Sequence, residues 1–115
     1  MDFSASASAS FSASHTVPDS LRCGRLHGHV WTVTVTIRAG MDPAYGELIK
    51  HVDLAIAVES LCAELHREHL NSMMPGSPPT PAGVALAFRE KLAMEFRTIE
   101  SVRVAMDNEA ATVHV

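Results

Sequence analysis

Cysteine is scarce in this sequence. Cys23 and Cys62 are the only two in 115 residues, too few to staple a disulfide-dense mini-fold, so a reducing, cytoplasmic compartment is expected. Concentrated positive charge is also missing. The formal net charge is -4 and no run of Lys or Arg exceeds two, which leaves no electrostatic footprint for nucleic acid or an anionic membrane. No apolar run approaches the roughly eighteen residues that a spanning helix needs. The first residues lack the basic start and continuous apolar middle of a secretory signal. The partners left by these exclusions are small molecules and further copies of the chain. A chain of this length has room for one domain, residues 1–115, whose core buries about two thirds of its unfolded surface.

What is present is periodicity. Phe3, Ala5, Ala7, Ala9, Phe11, Ala13 and His15 fall on odd positions and serine occupies every even position from Ser4 to Ser14. A period of two marks a half-buried strand, with a disordered Ser/Ala tail as the alternative for the first eight residues. HGHVWTVTVTI, residues 27–37, alternates in the same way, with His27, His29, Trp31, Val33, Val35 and Ile37 on one face. Pro18, Asp19, Ser20 and Gly24 between these segments supply turn chemistry, which predicts an antiparallel pair joined by a long loop carrying Cys23.

After the punctuated stretch AGMDPAYGE, Leu54, Val58, Leu61 and Leu65 recur at helical spacing. They predict a helix over about Val52–Leu70, with Glu64, Arg67 and Glu68 on its solvated side. MMPGSPPTPAG breaks it, and Thr80–Pro81 is an N-cap and first-turn pair for a second helix with Ala85, Phe88, Leu92 and Phe96 as its stripe. SVRVAM and ATVHV around Asp107–Asn108 predict a closing hairpin. Strand, strand, helix, helix, strand, strand is an α+β order in which an antiparallel sheet carries helices on one face.

Three histidines carry the chemistry. His27 and His29 share a strand face and His15 ends the preceding strand, so their imidazoles can converge on one zinc ion with a fourth position open for a reactant. The alternative is three strand histidines satisfied by backbone hydrogen bonds. Cys23, four residues before His27, is a fourth ligand, a thiolate base or nucleophile, or an inert thiol. Cys62 sits among apolar helix residues and belongs to the core. His66 and His69, one turn beyond it, form either a weaker second metal site or a solvated helix end. His51 and His114 have no spacing partner.

FSASH at 11–15, CGRLHGH at 23–29, Gly-x-Asp-Pro-x-x-Gly at 40–46, Leu70–Asn71 and Pro79–Thr80 together resemble the 6-pyruvoyl-tetrahydropterin and 6-carboxy-tetrahydropterin synthase family over nearly the whole chain. The resemblance implies the tunnelling fold: a four-stranded antiparallel sheet with two helices between its second and third strands, closing into a barrel as a homo-oligomer, trimer or hexamer. It implies zinc held by His15, His27 and His29, with Cys23 as the thiolate that moves a proton in a dihydropterin side chain. The family's other motifs are altered. Its Leu-Asp-His falls on Leu65-His66-Arg67, which leaves His66 as the candidate proton carrier and Arg67 as a substrate contact. Ala82 stands where a glutamate is expected, and the pterin-anchoring glutamate falls on Met106, followed by Asp107. Methionine offers no charge-assisted hydrogen bond, so Asp107 or Glu109 can supply one for a pterin only if the hairpin shifts register. The valine-aspartate-aromatic segment matches Val52-Asp53-Leu54 by type and Lys50 by distance.

The implied function is a zinc-dependent lyase or cyclase, a divergent member of that family. One alternative keeps metal and thiol but joins an amine to an aldehyde or keto acid, as in a Pictet-Spengler condensation, with Trp31 and Met106 lining the pocket. A second is a non-catalytic module braced by zinc.

Overall fold

The Ser/Ala alternation becomes strand β1, Asp2–His15, which buries Ala5, Ala7, Phe11, Ala13 and His15 and exposes the serines from Ser4 to Ser12, with Ser14 half-buried. The structure is a computed structural model that describes residues 2–17 and 27–115. No disordered tail replaces the strand, because Asp2 already pairs with Gly40 of β2, His27–Gly40. Strands β3, Ile99–Met106, and β4, Glu109–His114, complete an antiparallel sheet in the order β1-β2-β3-β4. The turn falls on Asp107 and Asn108, as the sequence predicts.

Helices α1, His51–Leu65, and α3, Pro81–Leu92, cover the apolar face of this sheet, with a single-turn α2, Leu70–Met73, between them. Helix α1 lies mainly against β1, and α3 against β3 and β4. Leu54, Val58, Cys62 and Leu65 face inward from α1, and Val84, Ala85, Phe88 and Leu92 from α3. Phe11 lies between Trp31 and Phe88, with ring centroids 6.1 and 6.5 Å away and the rings nearly parallel. Such aromatic stacking adds to the burial of apolar area that drives the fold. Thr80 caps α3 as predicted: its hydroxyl accepts from the Gly83 amide at 3.1 Å, and Pro81 opens the first turn. Phe96 lies beyond the end of α3 yet is buried, held by a turn in which its amide donates to the Leu92 carbonyl.

The first helix is shorter than its periodicity predicts. It stops at Leu65; His66 is extended, and Arg67 adopts a left-handed φ of 64°. The cause is the outer edge of β1. The Arg67 amide donates to the Ser12 carbonyl at 2.6 Å, the Ser14 amide donates to the Glu68 carbonyl at 3.1 Å, and His69 bridges to Ser14 in parallel. Backbone groups on a strand edge need partners, and this segment provides them in place of a further helical turn. Arg67 and Glu68 are therefore edge-covering residues rather than one side of a helix, while Leu70 is fully buried.

The opposite sheet face is hydroxylic. Ser6, Ser8 and Ser10 pair across β1 and β2 with Thr36, Thr34 and Thr32, oxygen to oxygen at 3.0, 2.7 and 2.9 Å. Among the described residues no helix is long and apolar enough to cross a membrane.

Candidate metal centre

The register of β1 on β2 sets the site. His15 and His27 are direct partners across the pair, and His29 follows two residues along the same face. One nitrogen from each ring lies within 4.8 Å of the others, and the ring centroids are 4.4 to 5.0 Å apart. Trp31 continues the row beneath them, its ring edge-on to His15 and its indole N–H donating to the Ala13 carbonyl at 3.2 Å.

Each partner assigned to these rings fixes a nitrogen. The Pro79 carbonyl, just before α3, accepts from His15 Nδ1 at 2.6 Å. His15 Nε2 then faces His27 Nε2 at 2.9 Å. The Asp107 carboxylate lies 2.8 Å from His29 Nδ1, which leaves His29 Nε2 buried without a hydrogen-bond partner among the described residues. A buried nitrogen without a partner costs free energy unless something binds it, and the facing Nε2 atoms of His15 and His27 stand beside it, close enough to share one proton or to converge with it on one cation. The donor set, three imidazole nitrogens, fits zinc.

Burial holds the His15 imidazole below its ordinary value of 6.5 against the pull of the Pro79 carbonyl; any charge on His27 and His29 pushes it the same way as burial, and Glu109 opposes. The sign follows. The folded state binds fewer protons at His15 than the unfolded chain, so metal-free protein should keep full stability above 6.5 and lose it as the pH falls below that value. Urea unfolding in the presence of a chelator checks this: His15→Gln should flatten the acid side of the stability profile, and an unchanged slope would refute the assignment.

The other candidates divide. Cys23 lies outside the described residues. Arg67, Asp107 and His29 meet in a cleft of about 560 Å³ walled also by Ser12, Ser14 and Glu68. His66 does not reach into a second metal site: its Nδ1 accepts from the Ser12 amide at 3.1 Å, and His69 Nδ1 meets the Ser14 hydroxyl at 3.0 Å. Cys62 is in the core, where burial raises its thiol from 9.0 to about 11 and makes it a poor ligand. Met106 is buried and paired with Trp31, with half-buried Glu109 next to it across the hairpin. His51, which has no spacing partner in the sequence, donates from Nε2 to the Ser6 carbonyl at 2.6 Å and covers more of the β1 edge. The Pro79 carbonyl is a contributor that side-chain motifs do not reveal. A second cleft of equal volume, about 560 Å³, opens at the far end of the sheet among Ile37, Lys50, Met94 and Phe96, without histidine or cysteine in its described lining.

A four-stranded antiparallel sheet backed by helices, with three histidines gathered on its first two strands, defines an α+β domain with a candidate metal site. The chain belongs to the 6-pyruvoyl tetrahydropterin synthase family of enzymes, whose pattern it matches over residues 4–114. A relative in Archaeoglobus fulgidus named "Putative 6-carboxy-5,6,7,8-tetrahydropterin synthase" is 33% identical over 98 residues, which cover 85% of this chain and 83% of that protein. The 6-pyruvoyl tetrahydropterin synthase of Caenorhabditis elegans superposes with a TM-score of 0.84 at 18% identity, covering 100% of this chain and 96% of that one. That of Plasmodium falciparum superposes at 0.74 with 15% identity, covering 99% and 98%. The architecture is thus the tunnelling fold that the sequence motifs imply.

Proposed function

We propose that this chain is a zinc-dependent lyase or cyclase of the family that acts on a small dihydropterin, and that it works as a homo-oligomer in the cytoplasm. The observation that carries the reading is the buried, unpartnered Nε2 of His29 beside the facing Nε2 atoms of His15 and His27. Zinc at these three nitrogens would act as a Lewis acid toward a side-chain hydroxyl or carbonyl oxygen. The protein residues have separate tasks. Cys23 is the thiolate that takes a proton, and its position four residues before His27 in the sequence supports that role. His66 lies beside the cleft residue Arg67 and carries protons to and from solvent, to which it is exposed. Arg67 presents a fixed cation to the substrate from the cleft wall. The open part of the β1 edge and β4 at the other edge of the sheet support closure by further copies into a barrel, as a trimer or hexamer.

One observation favours a second reading, a condensation of an amine with an aldehyde or keto acid. Met106, at the position of the family's pterin-anchoring glutamate, is buried and apolar next to Trp31, while the neighbouring Asp107 carboxylate is engaged by His29. Half-buried Glu109 pairs with Met106 across the hairpin.

The test is turnover of 7,8-dihydroneopterin triphosphate by zinc-loaded protein, followed by mass spectrometry, with Cys23→Ala alongside. Formation of a carboxy- or pyruvoyl-tetrahydropterin by wild type and not by the variant supports the family reaction. Stoichiometric zinc with the pterin untouched overturns it in favour of the condensation, which small amine and carbonyl pairs would then reveal.

A further inference from the structure

We propose that Asp107 is a positioning residue for the metal centre: its carboxylate fixes the tautomer and orientation of His29, so that Nε2 is offered to the ion as a lone pair. The inference rests on the zinc reading above and assigns to this chain a device outside its three ligands. An ionised carboxylate only accepts hydrogen bonds, so the nitrogen 2.8 Å from Asp107 Oδ2 must carry the proton. Neutral imidazole has a single N–H. Placing it on Nδ1 makes Nε2, the buried and unpartnered atom, the free donor.

His15 is handled in the same way by a different element. Its Nδ1 donates to the Pro79 carbonyl at 2.6 Å, which again leaves Nε2 toward the centre. Two ligands are therefore preset by separate elements, one by the backbone ahead of α3 and one by the β3–β4 turn. Ligating histidines are commonly oriented by such partners, and losing one weakens metal binding by about 10- to 100-fold. Asp107 is 61% exposed, and water weakens its charge, so orientation rather than Coulomb attraction is its contribution and the lower figure applies.

The backbone at Asp107 shapes the experiment. With φ at 51°, alanine there would be strained, whereas glycine and asparagine both accept this conformation. Asp107→Gly removes the acceptor without that strain, and Asp107→Asn keeps an acceptor oxygen while removing the charge. Zinc affinity by chelator competition should fall about tenfold in Asp107→Gly and stay within about threefold of wild type in Asp107→Asn. Long-range ¹H–¹⁵N spectra of the metal-free protein, above the imidazole titration range, supply a readout that fold stability does not move. His29 should be the Nδ1–H tautomer in wild type and in Asp107→Asn, and should shift toward Nε2–H in Asp107→Gly. Equal zinc affinity of wild type and Asp107→Gly overturns the inference, as does an Nε2–H tautomer in wild type. A wild-type protein that binds no zinc overturns the zinc reading itself, a failure told apart from the other two by the wild-type titration alone.

Discussion

Replacing His27 by alanine is expected to abolish stoichiometric zinc binding and lower turnover by at least about a thousandfold, a loss of roughly 4 kcal/mol of transition-state stabilisation. His27 stands close to both other candidate ligands: it faces His15 Nε2 at 2.9 Å, and its ring centroid is 4.4 Å from that of His29. Two imidazoles on neighbouring strands do not complete a three-ligand site, and the affinity that remains is that of a two-histidine pair. The fold should survive, because His27 is only half-buried and the sheet around it is closed by Trp31, Val33 and Val35, all fully buried. Circular dichroism and metal content measured on one preparation separate the two effects. His69→Ala is the matched control: it loses a hydrogen bond to Ser14 at the strand edge and should keep its zinc. Full zinc occupancy in His27→Ala would show that these histidines are not the ligands.

Gly83→Ala should be the most damaging glycine-to-alanine change among the described residues. A Cβ there would lie 1.8 Å from the Pro78 carbonyl oxygen, 2.7 Å from its carbon and 3.1 Å from Pro78 Cα. All three are backbone atoms, so no side-chain rotation relieves the contact and the Pro78–Thr80 segment must move. That segment holds α3 through the Thr80 cap on the Gly83 amide, and it supplies the carbonyl that orients His15. Alanine's better helix propensity returns about 1 kcal/mol, against an overpacking cost of about 3 kcal/mol or more. A net loss of about 2 kcal/mol corresponds to a fall in Tm of roughly 8–15 °C in a domain of this size. Thermal unfolding measures the loss directly, and zinc affinity should weaken with it through His15. An unchanged Tm would mean that α3 does not approach Pro78 this closely.

Much of the architecture is legible in the sequence because it is written in local periods. Alternation over residues 2–15 and 27–37 specifies both long strands and the faces on which the histidines stand, and Thr80–Pro81 marks the start of α3. The end of α1 is not legible, since nothing local stops a helix between Leu65 and Leu70. The competing demand comes from the edge of β1, distant in sequence, whose Ser12 and Ser14 backbone groups take up residues 66–69. The candidate metal centre shows the same division. H-x-H and FSASH point to three histidines that the fold brings together, but the groups that partner two of them are a backbone carbonyl and a turn aspartate. Only the folded chain brings these within 3 Å of the imidazoles. Aspartate at Asp107 reads in sequence as turn chemistry, and its φ of 51° agrees; the hydrogen bond to His29 is a consequence of tertiary structure.

The serine and threonine ladder on the outer sheet face carries a consequence for how the chain folds. Because β1 repeats Ser-Ala almost without variation, sliding it by two residues along β2 keeps hydroxyl against hydroxyl and alanine against the core. Slippage of that size is nearly degenerate in packing, as expected of a strand with few distinctive side chains. Phe11 and His15 break the degeneracy: the slid strand takes Phe11 away from Trp31 and His15 away from His27. The strand least able to recognise its own alignment is thus the one that ends in a candidate ligand, and an ion gathered by His15, His27 and His29 would act as a vernier that only one alignment satisfies.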